Sequence, residues 1–307
     1  MTSRPRPIDW LVMAFLVIAW GSAFAALKIA VEYISPVWNA ALRLWIAVAT
    51  LAVVLAIQRQ KLPPLRDPAW RFYAIVGLVG MAAPFVLFAY AAQSLPSAVN
   101  AMCNGASPIF TAALAHVFVA GDRLTLQRSA GVGLGFVGLA VLLAPKLMGG
   151  LTVEAVAMMA ALGAATLYAV ANVVTKHAPA VAATAGALMM SLWGAAYATA
   201  AAVFTAPLPD WPPLPALIAV VAQGVFPGGL ATIGWVFLIQ RRGPLFVSLS
   251  IYLAPLWATA VGVTFLGERP SWMAFAALAL ILAGVALATL ERRGLTPPPQ
   301  KQPSTRP

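Results

Sequence analysis

The sequence is 307 residues long, 62% hydrophobic and 9% charged, where a soluble globular domain holds about 45–50% and about 25%. Eight acids and nineteen bases cannot clothe a soluble fold of this length. A mean hydropathy of +0.89 excludes a disordered chain, and the lone Cys103 excludes a disulfide scaffold, which leaves a polytopic membrane protein.

Apolar runs recur from end to end, each near the ~20 residues a helix needs to cross about 30 Å of hydrocarbon. Ten spans are predicted, over 10–27, 37–57, 72–92, 98–119, 129–145, 153–174, 182–205, 216–239, 245–266 and 272–290. They read as helices because an open sheet leaves backbone groups unpaired in lipid. A β-barrel would instead show ~10-residue alternating segments. The links are short and rich in turn residues, "KLPPLRDP", "AGDR", "KHAPA", "APLPDWPPLP", "RRGP" and "LGERPS", and none has room for a soluble domain. The start resembles a signal peptide, with basic residues, an apolar stretch and a small-residue site at Ala23-Phe24-Ala25. It is read as the first span, because its removal would leave nine and spoil the symmetry described below.

The positions of the bases set the topology. With the N-terminus inside, the inner segments hold fifteen of them: Arg4, Arg6, Arg59, Lys61, Arg66, Arg71, Arg123, Arg128, Lys176, Arg241, Arg242, Arg292, Arg293, Lys301 and Arg306. The outer links hold two, Lys146 and Arg269. That asymmetry predicts both termini in the cytoplasm and accounts for the net charge of +11. The bases orient helices and face anionic lipid, so no nucleic-acid partner is expected. The Pro-rich polar tail after Leu290 reads as disordered.

The chain also repeats itself. At an offset of 147, Gly77 meets Gly224, Tyr90 meets Phe237, Gln93 meets Gln240, Pro108 meets Pro255, Ala113 meets Ala260 and Phe118 meets Phe265. One residue of slip brings Gly121-Asp122-Arg123 onto Gly267-Glu268-Arg269 and Gly138 onto Gly284. The predicted organisation is a cytoplasmic N-terminus (1–8), a five-helix repeat (9–145), a second five-helix repeat (146–291) and a cytoplasmic tail (292–307). An odd number of spans per half places the second half upside down. Inverted halves with matching Gly and Pro breaks mark secondary transporters, which hold substrate between the halves near the midplane.

Four segments carry a family resemblance: "AWGSAFAALKIA" in the first span, "ALRLWIA" in the second, "SPIFTAALAHVFVAGDRL" across the fourth and "APLWATAVGVTFLGERPSW" across the ninth. They resemble the drug/metabolite transporter superfamily, specifically its EamA-type members, over residues 8–291. The resemblance implies an all-α fold of ten transmembrane helices in two inverted five-helix repeats. It implies a bacterial inner-membrane location and export of a small metabolite by alternating access, with protons as the coupling partner. It names no substrate.

Residues able to carry that chemistry are few. Arg43 lies about seven residues into the second span, roughly 10 Å deep at 1.5 Å per residue. Charge at such depth costs roughly 2.5–3.5 kcal/mol on insertion scales. Lys28 and Glu32 stand four apart near the outer end of the first span, on one face. The three residues could cluster as Glu–Arg–Lys, or Lys28 could snorkel to the outer headgroups. With no acid near any span's centre, a substrate carrying a carboxylate, such as an amino acid or related compound, is preferred over a purely cationic one. His116, towards the inner end of the fourth span, is the proton-coupling candidate. Gln93, Asn104 and Asn172, with Trp20, Tyr90, Tyr168, Trp235 and Trp257, are candidates to line the pocket. Pro84, Pro108, Pro227 and Pro255 are the candidate helix breaks and hinges. The glycines 131, 133, 135 and 138 give the fifth span a G-x-x-x-G face, for packing within one chain or for a homodimer.

No nucleophile–base pair, metal-ligand spacing or nucleotide-binding motif is present. No cofactor, no metal and no enzymatic activity are therefore expected, and pumping must draw on an ion or substrate gradient. The alternative from another class is a membrane protein without transport, acting in assembly or sensing.

Overall fold

The computed structural model describes residues 5–118, 125–148, 151–242 and 244–289. Gly121-Asp122-Arg123, the expected tail after Leu290 and residues 1–4 lie outside them. Among the described residues all regular structure is helical. In chain order it runs α1 (Pro7–Ala30), α2 (Pro36–Ile57), α3 (Ala69–Gly77), a π-helical segment π1 (Leu78–Ala82), α4 (Ala83–Ser94), α5 (Ser97–Gly105) and α6 (Ser107–Phe118). Then come α7 (Leu126–Leu147), α8 (Val153–Val174), α9 (Ala183–Thr205), α10 (Leu214–Gln223), π2 (Gly224–Leu230), α11 (Ala231–Arg242), α12 (Pro244–Phe265) and α13 (Trp272–Thr289).

Within the described residues the predicted spans fall on helix except at Ala106, Ala182 and Leu266, and helix ends are set by local chemistry. Proline stands in the first turn of α1, α2 and α10, where its missing N–H is no loss. Thr152 caps α8 by accepting from Ala155 N at 3.2 Å, and Thr125 caps α7 by accepting from Arg128 N at 3.3 Å. Among the described residues seven helices are long and apolar enough to cross a membrane, and Leu249–Phe265 and Trp272–Ala288 are shorter apolar stretches.

The fourth span is not one helix. It divides at Ala106 into α5 and α6, two residues before Pro108, whose ring disfavours helix in the residue ahead of it. Pro84 follows π1, and Pro227 lies within π2; a π turn widens the helix where proline would collide with the carbonyl one turn back. Pro255 lies inside α12, which is continuous through it. Room for its ring comes from Gly105, where a Cβ would stand 3.3 Å from Pro255 Cγ, so Pro255 is a packing contact between α12 and α5.

Lipid removes the hydrophobic drive between helices, so close packing of small residues holds the bundle. α2 lies along α9, and α7 along α13. On the α7–α13 seam, a Cβ on Gly131 would come 2.5 Å from Ala288 N, and one on Gly284 would come 2.6 Å from Gly131 O. The G-x-x-x-G face is therefore used within the chain. The remaining contacts come in reciprocal pairs: α1 packs on α12 as α8 packs on α5 and α6, α1 on α10 and α11 as α8 on α4, and α2 on π2 as α9 on α3 and π1. Gly77 and Gly224 show this residue by residue. A Cβ on Gly77 would meet Met190 O at 2.7 Å and Trp193 Cβ at 2.8 Å; one on Gly224 would meet Arg43 O at 2.7 Å and Ile46 Cβ at 2.5 Å. Each of these residues lies 147 from its counterpart.

Candidate functional site

Arg43 projects from the middle of α2, with its backbone against Gly224 of π2. It is 8% exposed. Its guanidinium carbon lies 3.9 Å from the centre of the Phe85 ring on α4. Tyr168 of α8 packs edge-on to Phe85 at 6.3 Å and beside Phe88 at 5.7 Å, and Phe88 in turn takes the edge of Phe24 from α1 at 5.7 Å. Rings from α1, α4 and α8 thus form one cluster, with the Arg43 guanidinium of α2 against its Phe85 member. No carboxylate among the described residues pairs with it. The guanidinium carries five N–H donors, and the cation–π contact beside them supplies about 0.5–2 kcal/mol.

Lys28 and Glu32 do not join Arg43. Lys28 Nζ donates to Ala92 O at 2.8 Å and to Gln93 O at 3.5 Å, capping the C-terminal end of α4, where a cation meets the negative end of the helix dipole. Glu32 is exposed beyond α1. The Glu–Arg–Lys cluster is therefore replaced by a helix cap and a separate buried arginine. The reason is geometric: Lys28 and Arg43 leave their helices toward different ends of α4.

The other candidates scatter. Trp20 is half-buried against the α1–α11 contact, Asn104 is half-buried at the end of α5, and Gln93 is exposed. Tyr90 is 43% and Trp235 40% exposed. Trp257 donates from Nε1 to Ser22 Oγ at 2.9 Å, tying α12 to α1. Asn172 Nδ2 reaches Thr111 Oγ1 at 3.4 Å between α8 and α6. His116 is exposed near the end of α6. Of the residues singled out in the sequence, Arg43 and Tyr168 meet around the Phe85 ring, and Lys28 meets the Gln93 carbonyl.

Two polar contacts between the halves escaped sequence reasoning. Asp9, 0% exposed in the first turn of α1, accepts from Arg241 Nε at 3.0 Å, from Arg242 Nε at 2.6 Å and from Arg6 N at 2.9 Å. It clamps the start of α1 to the end of α11. At the opposite end of the bundle, Glu268 accepts from Ser97 N at 2.5 Å, Ser97 Oγ at 3.0 Å and Ala98 N at 3.2 Å. A carboxylate at a helix N-terminus satisfies donors that the helix itself cannot. Gly267, at φ 65°, makes the turn that aims Glu268. The Gly-acid-Arg repeat was a visible signal for Glu268; nothing in the sequence paired Asp9 with arginines 232 and 233 residues away.

Comparison with known proteins meets this geometry. The EamA-like transporter family matches the chain twice, over residues 8–144 and 155–290. A probable terminal-alkyne amino-acid exporter of Streptantibioticus cattleyicolor is 29% identical over 292 residues, covering 92% of this chain and 94% of that protein. The uncharacterized inner membrane transporter YedA of Escherichia coli K12 is 27% identical over 277 residues, covering 90% and 88%. Among the solved structures that match, a crystal structure has a TM-score of 0.68 at 24% identity, covering 95% of this chain and all of that one; at that identity it shows the fold alone.

Proposed function

The chain belongs to the EamA-like transporter family of drug/metabolite transporters, a multi-pass membrane protein, and on that premise we propose that it is a secondary exporter of a small carboxylate-bearing metabolite, an amino acid or a close relative. The observation that carries this reading is the buried guanidinium of Arg43, held by the Phe85 face and left without a carboxylate of its own. A substrate carboxylate is the partner whose planar pair of oxygens fits that fork. The Streptantibioticus relative, described as a probable terminal-alkyne amino-acid exporter, supports the same substrate class.

The working arrangement is ten membrane helices in two inverted five-helix repeats, with both termini in the cytoplasm of a bacterial cell and the chain acting as monomer or homodimer. The reciprocal packing of Gly77 and Gly224 and the two family matches support the repeats. Alternating access then rocks one repeat against the other, with Asp9–Arg241–Arg242 closing the cytoplasmic side and Glu268–Ser97 the outer side. Protons are the proposed coupling ion.

Flux through proteoliposomes tests this function directly. Amino acids, their amides and their decarboxylated amines are offered with and without a pH gradient. Compounds that keep the carboxylate should move and the amines should not. Absence of flux for every compound under both conditions would favour the assembly or sensor reading instead.

A further inference from the structure

α4 and α5 form a hairpin, and the helical path is interrupted at both of its feet. π1 and Pro84 stand where α4 begins, and the break at Ala106 ends α5 just ahead of Pro108. A π turn or an interrupted helix lacks the regular hydrogen-bond ladder that stiffens a helix, so bends form at such places. Within the hairpin, Asn100 Nδ2 in the first turn of α5 donates to Phe88 O of α4 at 2.9 Å, a buried bond. Phe88 O can only accept, which fixes the orientation of that amide. The two arms are thus tied to each other and separated from the helices that continue them. Their counterpart in the second half, α11 and α12, is interrupted only at π2, because α12 runs on through Pro255.

The tip of the hairpin is held from two sides by side chains that lie outside it. Lys28 of α1 donates to Ala92 O and Gln93 O. Glu268, in the turn between α12 and α13, accepts from Ser97 N, Ser97 Oγ and Ala98 N. Each charge meets the helix end of opposite sign, the lysine at the C-terminus of α4 and the carboxylate at the N-terminus of α5. Glu268 also has a built seat. Its backbone N donates to Gly262 O at 3.0 Å, closing the last turn of α12, and a Cβ on Gly262 would collide with Glu268 Oε2 and stand 2.9 Å from Ser97 Oγ. Both holds are side-chain hydrogen bonds, which can part while the backbone bonds of α1, α4, α5 and α12 stay made. The same hairpin carries Phe85, whose ring lies against Arg43, and Phe88, which meets Phe24 of α1 and Tyr168 of α8.

We propose that the α4–α5 hairpin is a hinged flap beside Arg43, latched shut from α1 by Lys28 and from the α12–α13 turn by Glu268. Release of both latches swings it away from α1 and α12 about π1 and Ala106, and draws Phe88 and Phe85 off the guanidinium. The flap is defined by its own contacts; only its effect on substrate rests on the transport reading.

Ala101→Cys reads the flap. Ala101 is 1% exposed on α5, one turn before Gly105, which faces Pro255 of α12. In a Cys103→Ala background, with the full chain in lipid nanodiscs, maleimide reaches this thiol when α5 parts from α12. Glu268→Gln and Lys28→Met should each speed labelling about tenfold, the size of one lost hydrogen bond to a charged group, and together about a hundredfold, as two latches on one flap. Pro108→Ala, which joins α5 to α6, should slow labelling severalfold, and it carries the test if a latch variant fails to fold. Ala195→Cys, at a position 0% exposed between α9 and α2, should label at one slow rate in every variant. Unchanged labelling of Ala101→Cys in both latch variants would overturn the proposal. So would equal gains at Ala195→Cys, the mark of general loosening, or a Pro108→Ala rate no lower than that of the unaltered proline. None of these rates depends on flux, so the flap and the transport reading fail separately.

Discussion

The guanidinium of Arg43 faces the ring of Phe85 at 3.9 Å, across the gap between α2 and α4. This contact supplies at most about 2 kcal/mol, less than the roughly 2.5–3.5 kcal/mol that a charge at this depth costs on insertion scales. The remainder is what a substrate carboxylate or cavity water would supply on binding. Arg43→Lys should keep insertion but lose most transport, because an ammonium cannot reproduce a planar two-pronged contact. Arg43→Leu should insert at least as well and be inactive. Vesicle flux normalised to folded protein decides: wild-type flux in the leucine variant would remove Arg43 from the mechanism.

Gly77 and Gly224 let π1 and π2 approach the facing helices to backbone contact. Valine at either place should cost about 1–3 kcal/mol through overpacking, and the two losses should be similar, since the surroundings are related by the repeat. Gly133, where an added methyl would meet nothing within 4 Å, should accept alanine without loss. Thermal unfolding in detergent, read by size-exclusion recovery, compares the three.

The two repeat-related prolines should behave differently. Pro108→Ala removes the ring that separates α5 from α6 and should slow transport by joining them into one helix. Pro255→Ala leaves α12 continuous and opens a small gap against Gly105, so it should lower stability modestly and leave the transport rate near normal. Equal slowing in both would show that Pro255 is also a hinge.

Asp9 joins the two repeats where neither helix could do so alone. Asp9→Asn leaves Arg241 and Arg242 without their shared carboxylate and should lower stability, by less than a fully buried pair would because the Arg241 side chain is 36% exposed. If this contact closes the cytoplasmic side, Asp9→Asn should also raise labelling of a cysteine placed at Asn172, measured in a Cys103→Ala background. A stability loss with unchanged labelling would leave Asp9 as a structural clamp only.

Topology is open to reporter fusions. Fusions after Arg59, Arg123, Arg242 and the C-terminus should report cytoplasm, and fusions at Ser94, Lys146, Asp210 and Ser271 the other side. A C-terminus outside would break the ten-helix reading.

Much of this molecule is written in the linear pattern. Hydropathy alone located the helices, because a segment must bury its backbone polar groups locally to sit in lipid, and that condition depends on composition over ~20 residues and not on neighbours. The offset of 147 paired Gly77 with Gly224 before any contact was visible, since both halves answer the same packing problem. Depth singled out Arg43 for a similar reason: charge in hydrocarbon is costly wherever the helix turns. What only the tertiary structure decided is who meets whom. Sequence spacing offered Glu32 and Lys28 as partners for Arg43; the fold gave Arg43 an aromatic face, sent Lys28 to the carbonyls of α4 and joined Asp9 to arginines more than two hundred residues away. The contact between the buried amides of Gln223 and Asn39, 184 residues apart, was equally invisible, because a hydrogen-bond partner is a property of surroundings and not of residue type. Direction around a helix and the approach of one helix to another are long-range outcomes of packing, and no local rule in the chain encodes them.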